Sequence, residues 1–489
     1  MRRSKKASDY FLSLVPITMT GFVGSVFGLR KINSLPSFLK VVVIIFCLSH
    51  VGAALLSPSL FTATIWTIFR LFILVGLISY GSHLKDLRGI RFLAIGILAS
   101  ELLAIFFTIT VDSGLTSRLK HPYMTSVSLG LVGSFGIWIS VLGRDLLWKT
   151  WNLALSLLLF SLSTLVVLFS GSRSAVAATI IGLIFAAITF ERKQAIKTLF
   201  AILIIIAVYI LLLGFSNVGF LFRILDGNTS GRSAIWYSAL SLIKSQPYSG
   251  IGAYQFGNYN NGIQEGCASF NSEAVIDNCR GIIDIIGTPW IITHNATLQE
   301  LVEFGFLGIA SFYVLLGLIL YAAIKTRIPL VLAFVVGMMC MSLYDNVLIV
   351  PSPFFAEVFW VIGGYCIARV KLNLRQFTAI PFLLFIVISS PVFIMFFPLE
   401  RNNYLSRLSG VFEDQEGKRN IAVMIEKSEL EVVIFECTNY CVAVESNFSS
   451  RGLNMISWYP KIQQPTSYML TAFRSTGMVT LESIIYVEK

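Results

Sequence analysis

Apolar runs close to the length of a bilayer crossing recur along most of this chain, separated by short polar turns. A helix needs about 20 apolar residues to span the hydrocarbon core. Backbone in lipid must satisfy its own hydrogen bonds, so such runs cross as helices. They lie near 38–56, 60–80, 92–112, 122–143, 151–170, 175–190, 196–215, 300–321, 329–350, 354–370 and 377–398, with a further apolar stretch at 11–29. Of the 489 residues, 56% are hydrophobic and 13% charged, a balance foreign to soluble domains. The expected fold class is an all-α polytopic membrane protein of about 11–12 transmembrane helices. A long loop outside the membrane (216–293) and a small β domain complete it. The expected division is 1–398 for the bundle with its loop and 399–489 for an extracytoplasmic β-rich domain.

The net charge of +11 follows from topology and is no sign of nucleic-acid binding. Basic residues cluster between spans at Arg2 to Lys6, Lys85 to Arg91, Arg192-Lys193, Lys325 to Arg327 and Arg369 to Arg375. Cytoplasmic loops carry such an excess. That rule places 113–121, 171–174, 216–293, 345–353 and everything after 399 outside. The stretch 11–29 breaks the pattern. If it spans, the basic N-terminus lies outside, while Pro16, Gly21, Gly24 and Gly28 suit an interfacial or re-entrant segment. No cleavable signal core is evident there.

Cysteines offer a second check. Cys47, Cys340 and Cys366 fall in apolar spans. Cys267 and Cys279 share the long loop, and Cys437 and Cys441 share the tail. Even pairs in outside segments are disulfide candidates, since disulfides persist in oxidising compartments; free thiols are the alternative. The tail alternates apolar and polar residues over 421–425, 430–435, 468–473 and 478–487, the period of strands, and reads as a small sandwich. Trp458 and Tyr459 are its only evident sugar platform. In the long loop, 231–246 reads as an amphipathic helix carrying Trp236, Leu240 and Ile243 on one face and ended by Pro247.

Few places remain for chemistry in water. The chain has 4 histidines: His50 in a span, His83 in a basic cluster, and His121 and His294 outside. His294 starts a new apolar helix, whose N-terminal dipole disfavours imidazolium. A neutral imidazole there could take a proton from a hydroxyl. Gly305 lies about three turns below His294, on the same face, and Gly308 allows close helix approach. Glu300 and Glu303 are costly at membrane depth and should face the interior. Arg118, Arg173, Arg223 and Arg232 lie outside, where topology does not account for them. Guanidinium groups grip phosphate oxygens bidentately. Ion pairs with Asp226, Asp277 or Asp284 are the alternative. No zinc spacing, Walker loop, dinucleotide fingerprint or Ser-His-Asp order is present, so neither a metal nor a cofactor is expected.

Four elements, in order, resemble the O-antigen ligase and polymerase superfamily. They are the turn Ser170-Gly-Ser-Arg-Ser-Ala175, Ser230-Gly-Arg with Trp236, Pro247 with Gly250-Ile-Gly252, and His294-Asn295 followed by Glu303, Gly305 and Gly308. The resemblance covers roughly 170–308. The spacing from His-Asn to Gly305 is similar to the ligases in particular. Leu307-Gly308 departs from the ligase pattern, as does the β domain.

The resemblance implies glycosyl transfer at the periplasmic face of the bacterial inner membrane, without a metal or cofactor. The donor would be a glycan on undecaprenyl pyrophosphate. The acceptor would be lipid A-core in a ligase, giving lipopolysaccharide, or a second lipid-linked repeat unit in a polymerase. His294 would be the base. Arg173 and Arg232, with Arg223 and Arg118, would hold the pyrophosphate, supported by Asn295, Glu303, Gly305 and Trp236. Two other classes are weighed. A flippase or transporter of lipid-linked sugars would line several spans with polar residues, of which Arg70 is the clearest here. A scaffold in envelope assembly would act through the β domain.

Overall fold

The computed structural model describes residues 23–112, 118–147, 152–189, 192–214, 232–259, 292–351 and 355–370, then the strands and adjoining turns within 405–488. These fall into two compact units. The first is a polytopic α-helical membrane bundle with residues 246–254 and 292–370. The second holds the helices Arg232–Ser245 and Phe256–Tyr259 of the long loop, and the strands.

The bundle runs α1 (Val23–Leu29), α2 (Ser37–Leu55), α3 (Leu60–Ser82), α4 (Ile90–Asp112), α5 (Ser126–Leu142), α6 (Asn152–Phe169), α7 (Arg173–Thr189) and α8 (Arg192–Gly214). In the second unit, α9 is Arg232–Ser245. The bundle resumes with α10 (Ala296–Thr326), α11 (Pro329–Met341) and α12 (Ala356–Ile367). By length and hydropathy, 6 described helices can cross a membrane: α2, α3, α4, α6, α8 and α10. On α8, Ile196, Leu199, Leu203, Ile206 and Ile210 recur at three- and four-residue spacing and are exposed, as a lipid-facing stripe should be. The shorter helices sit deeper. α11 packs on α7, α5 on α6 and α7, α12 on α3, and α10 on α2 and α12. Phe334 on α11 meets Phe135 and Trp138 of α5 at ring-centroid separations of 4.9 and 5.3 Å.

One expected span is corrected. The apolar run 329–350 is helical only to Met341. Residues beyond it turn back as irregular backbone, and Val347, Leu348, Ile349 and Val350 are buried. Such backbone is tolerated at membrane depth where protein surrounds it. The Trp360 indole anchors it by donating to Leu348 O at 2.9 Å. Apolarity alone could not separate a buried turn from a helix. The expected span 377–398 lies outside the described residues, and of 11–29 only Val23–Leu29 is described.

Basic loops meet at one end of the bundle. Arg369, just past α12, donates to the carbonyls of Leu84 and Lys85 at 2.6 Å each. A Cβ on Gly143, at the end of α5, would touch Leu330 at the start of α11.

In the second unit, strands follow the alternation read from the tail. They are β1 (Leu405–Arg407), β2 (Phe412–Glu413), β3 (Arg419–Ile425), β4 (Leu430–Cys437), β5 (Cys441–Ser449), β6 (Gly452–Trp458), β7 (Ser467–Arg474) and β8 (Ile484–Glu488). They form two antiparallel 4-stranded sheets. In one, β3 pairs with β1, β2 and β6; the other runs β5-β4-β7-β8. Arg419 on β3 pairs with Glu436 on β4, and Trp458 on β6 packs edge-on against Tyr468 on β7 at 5.9 Å, which joins the sheets. Trp458 is buried and its indole donates to Glu436, so it is no sugar platform; Tyr459 is exposed.

Candidate functional site

His294 does not sit on a helix, contrary to the sequence reading. Its φ of 52° lies in the left-handed region, uncommon for a residue with a Cβ. Asn295 is the N-cap of α10, its Oδ1 accepting from Leu298 N at 2.9 Å. The same side chain donates to Leu343 O at 2.8 Å, and Ala296 N donates to Ser342 O at 2.9 Å. These bonds zip the start of α10 to the turn after α11. Asp345 on that turn then lies with Oδ1 3.0 Å from His294 Nδ1. Asp345 is fully buried and the His294 side chain is 34% exposed. A buried carboxylate thus fixes one ring nitrogen, and the other remains for proton transfer.

The polar turn before α7 reaches the same aspartate. Ser174 Oγ donates to Asp345 Oδ2 at 3.1 Å, and Ser172 Oγ lies 3.1 Å from Ser174 Oγ. Arg173, half-buried, stands between these two serines at the first position of α7. Gly171 has φ 61°, and Arg118 Nη2 donates to its carbonyl at 3.1 Å. A Cβ on Gly171 would come within 2.7 Å of Arg118 Nε, so only glycine lets the guanidinium in. Arg118, the Arg173 turn, His294 and Asp345 are therefore linked by consecutive contacts. His121, three residues beyond Arg118, is buried, and that burial lowers its pKa to about 4, so it stays neutral.

Below the site, α10 is broken at Gly305, whose φ is 58°. The one-face argument for His294 and Gly305 fails for this reason and because His294 precedes the helix. The break is filled by residues 247–252. Ile251 N and Gly252 N donate to Val302 O (2.8 Å) and Glu303 O (2.9 Å), while Pro247 O and Tyr248 O accept from Phe306 N (2.9 Å) and Leu307 N (3.2 Å). A continuous helix would have joined those same amides and carbonyls to each other. A Cβ on Gly305 would lie 2.4 Å from the Tyr248 carbonyl carbon. This contact accounts for the pairing of Pro247-x2-Gly250-Ile-Gly252 with Gly305 in the sequence.

The carboxylates on the turns before the break face inward. Glu303 Oε2 lies 2.6 Å from Arg70 Nη1, and its Oε1 accepts from Tyr254 N at 2.8 Å. Glu300 lies 3.7 Å from the same guanidinium and 3.1 Å from His50 Nε2. Tyr254 and Phe304 cover the Arg70 guanidinium at 4.7 and 5.3 Å. All four ionisable groups are at most 2% exposed, so each charge depends on its partners. Arg70 thus serves this cluster rather than a polar pathway through several spans.

Arg223 lies outside the described residues, as do Cys267, Cys279 and the aspartates 226, 277 and 284. Arg232 opens α9 and Trp236 is buried on it, both in the second unit. The side chain of Arg232 lies outside the described residues, as do those of Cys437 and Cys441, whose backbones pair across the β4–β5 hairpin. Among the described residues no group of His, Cys, Asp and Glu is arranged to hold a metal ion. Asp345 was missed. A signal was present: an aspartate inside a presumed span is costly and marks function by default.

Residues 157–313 match the family model described as O-antigen ligase, and the match takes in all four sequence elements. The matched stretch contains Arg173, Arg232, His294 and Gly305; Arg118 and Asp345 lie outside it. Comparison with curated proteins and with solved structures finds no match.

Proposed function

We propose that the protein transfers a glycan from undecaprenyl pyrophosphate to an acceptor hydroxyl at the periplasmic face of the inner membrane. The observation that carries this reading is the His294–Asp345 contact, reached by the same turn that presents Arg173 and receives Arg118. With Nδ1–H donating to Asp345, the lone pair of Nε2 faces the acceptor. Nε2 takes the hydroxyl proton as the oxygen attacks the anomeric carbon. The bond from that carbon to the pyrophosphate oxygen breaks in line, with inversion, and undecaprenyl pyrophosphate leaves. Arg118 and Arg173 meet the charge that grows on the leaving group, aided by the N-terminus of α7, and the sequence resemblance assigns Arg223 and Arg232 the same work. Guanidinium groups thereby fill the role a metal ion would play, and chelators leave turnover unchanged. The basic end formed by Lys85 and Arg369 then faces the cytoplasm.

The test supplies purified protein with an undecaprenyl-pyrophosphate glycan and two acceptors, core lipopolysaccharide and a second lipid-linked repeat unit. Extension of the first identifies a ligase, and of the second a polymerase. Unchanged product from His294→Ala would remove the histidine from the reaction. Persistence of product after deletion of 399–489 separates an enzyme from a scaffold.

A further inference from the structure

We infer that Gln299 is a positioning residue for the His294–Asp345 pair, holding both partners through one carbonyl oxygen. The inference rests on the reading of that pair as the base and its orienting carboxylate. Gln299 Oε1 accepts from Thr293 N at 2.8 Å and from Asn346 Nδ2 at 2.8 Å. Thr293 is the residue before His294 and Asn346 the residue after Asp345. The contact is bracketed on its other side by Asn295 and Ala296, which donate to Leu343 O and Ser342 O. Two irregular segments, far apart in the chain, are therefore clamped on both flanks of the reactive contact. Gln299 bonds to both segments at the flank next to Thr293 and Asn346.

Gln299 is itself held. It lies on the first turn of α10, is fully buried, and its Nε2 donates to Glu303 Oε1 at 2.7 Å. Glu303 is anchored by Arg70 and by Tyr254 N. The orientation of the amide is fixed by its neighbours. A backbone N–H must face oxygen, and a carboxylate paired with arginine must face the NH2 group. Leucine would orphan Thr293 N and Asn346 Nδ2. Glutamate would set two carboxylates side by side. The ion-pair cluster deep in α10 thus serves as the fixed point from which the imidazole is placed. Reacting groups tolerate little displacement: about 1 Å costs on the order of 10²-fold in rate.

The test uses the full chain in lipid nanodiscs with the undecaprenyl-pyrophosphate glycan and saturating acceptor. Gln299→Leu is expected to lower kcat by about 10²-fold while donor KM stays within about threefold. Asn346→Ala lowers kcat less. The double variant is no worse than Gln299→Leu, because both act through the same oxygen. The exchanged pair, Gln299→Glu with Glu303→Gln, again presents an acceptor to Thr293 and Asn346 and reverses the bond between the two side chains, at the cost of the acceptor for Tyr254 N. It is expected to recover about tenfold over Gln299→Leu, which loss of fold alone would not predict. Additive losses in the double variant, no recovery in the exchanged pair, or an unimpaired Gln299→Leu would each overturn the inference. His294→Ala separates the two levels. Normal product from it overturns the reading of the site and this inference with it, whereas inactive His294→Ala beside an unimpaired Gln299→Leu overturns the role of Gln299 alone.

Discussion

Asp345 carries the sharpest expectation at the scale of single residues. Asp345→Asn keeps the shape of the side chain but removes the charge that holds His294 Nδ1–H and allows the wrong tautomer. Turnover should fall by about 10²–10⁴-fold, with donor KM little changed, in the two-acceptor assay. Ser174→Ala deletes one hydrogen bond to the same carboxylate, worth about 1 kcal/mol, and should cost roughly five- to tenfold in kcat. His294 was legible in the sequence because it stands at the start of an apolar helix, where a long polar loop ends. Asp345 was not, because its partner lies far away in the chain and its surroundings read as a span. Arg118 and Arg173 were legible as cations that topology does not require. Their convergence depends on a turn whose glycine admits one of them.

At the scale of elements, the break in α10 sets the next predictions. Gly305→Ala forces a Cβ into a left-handed conformation and against the Tyr248 backbone, where no flexible side chain can yield. Strain of about 1–3 kcal/mol plus the overlap should lower the melting temperature in detergent. Arg70→Met removes the cation from two buried carboxylates, at a cost of about 3–5 kcal/mol. Adding Glu300→Gln and Glu303→Gln should recover part of the lost melting temperature, since neutral partners leave no uncompensated charge. Helices with long apolar runs were readable from composition alone. The ends of α10 and α11 were not, because irregular backbone buried in protein looks as apolar as a helix, and Gly305 reads equally as a packing residue or a break.

For the whole molecule, the β unit titrates by its own rule. Burial alone would raise the Glu436 pKa, but bonds from Ile462 N, the Trp458 indole, Arg419 and Lys461 N hold it below the usual range. A carboxyl depressed in the folded state binds its proton more readily when unfolded. Its stabilisation is therefore present above the unfolded value of about 4.3 and is lost as pH falls through the folded one. Hydrogen exchange in β4 and β6 of the intact protein should accelerate below about pH 4. Glu436→Gln should flatten that acid dependence and weaken the strands at neutral pH. The strands were legible from alternation. The role of Trp458 was not, because an aromatic on a strand has the same signature whether it faces glycan or the opposite sheet.

Residues 247–252 complete the hydrogen bonding of α10 as a missing turn would, although a long stretch of chain separates them. Covalent continuity between Tyr259 and Ile292 is then dispensable for holding those pieces of bundle in register. Fragments 1–259 and 292–489, expressed together, should reassemble and copurify, and Gly305→Val should abolish the reunion.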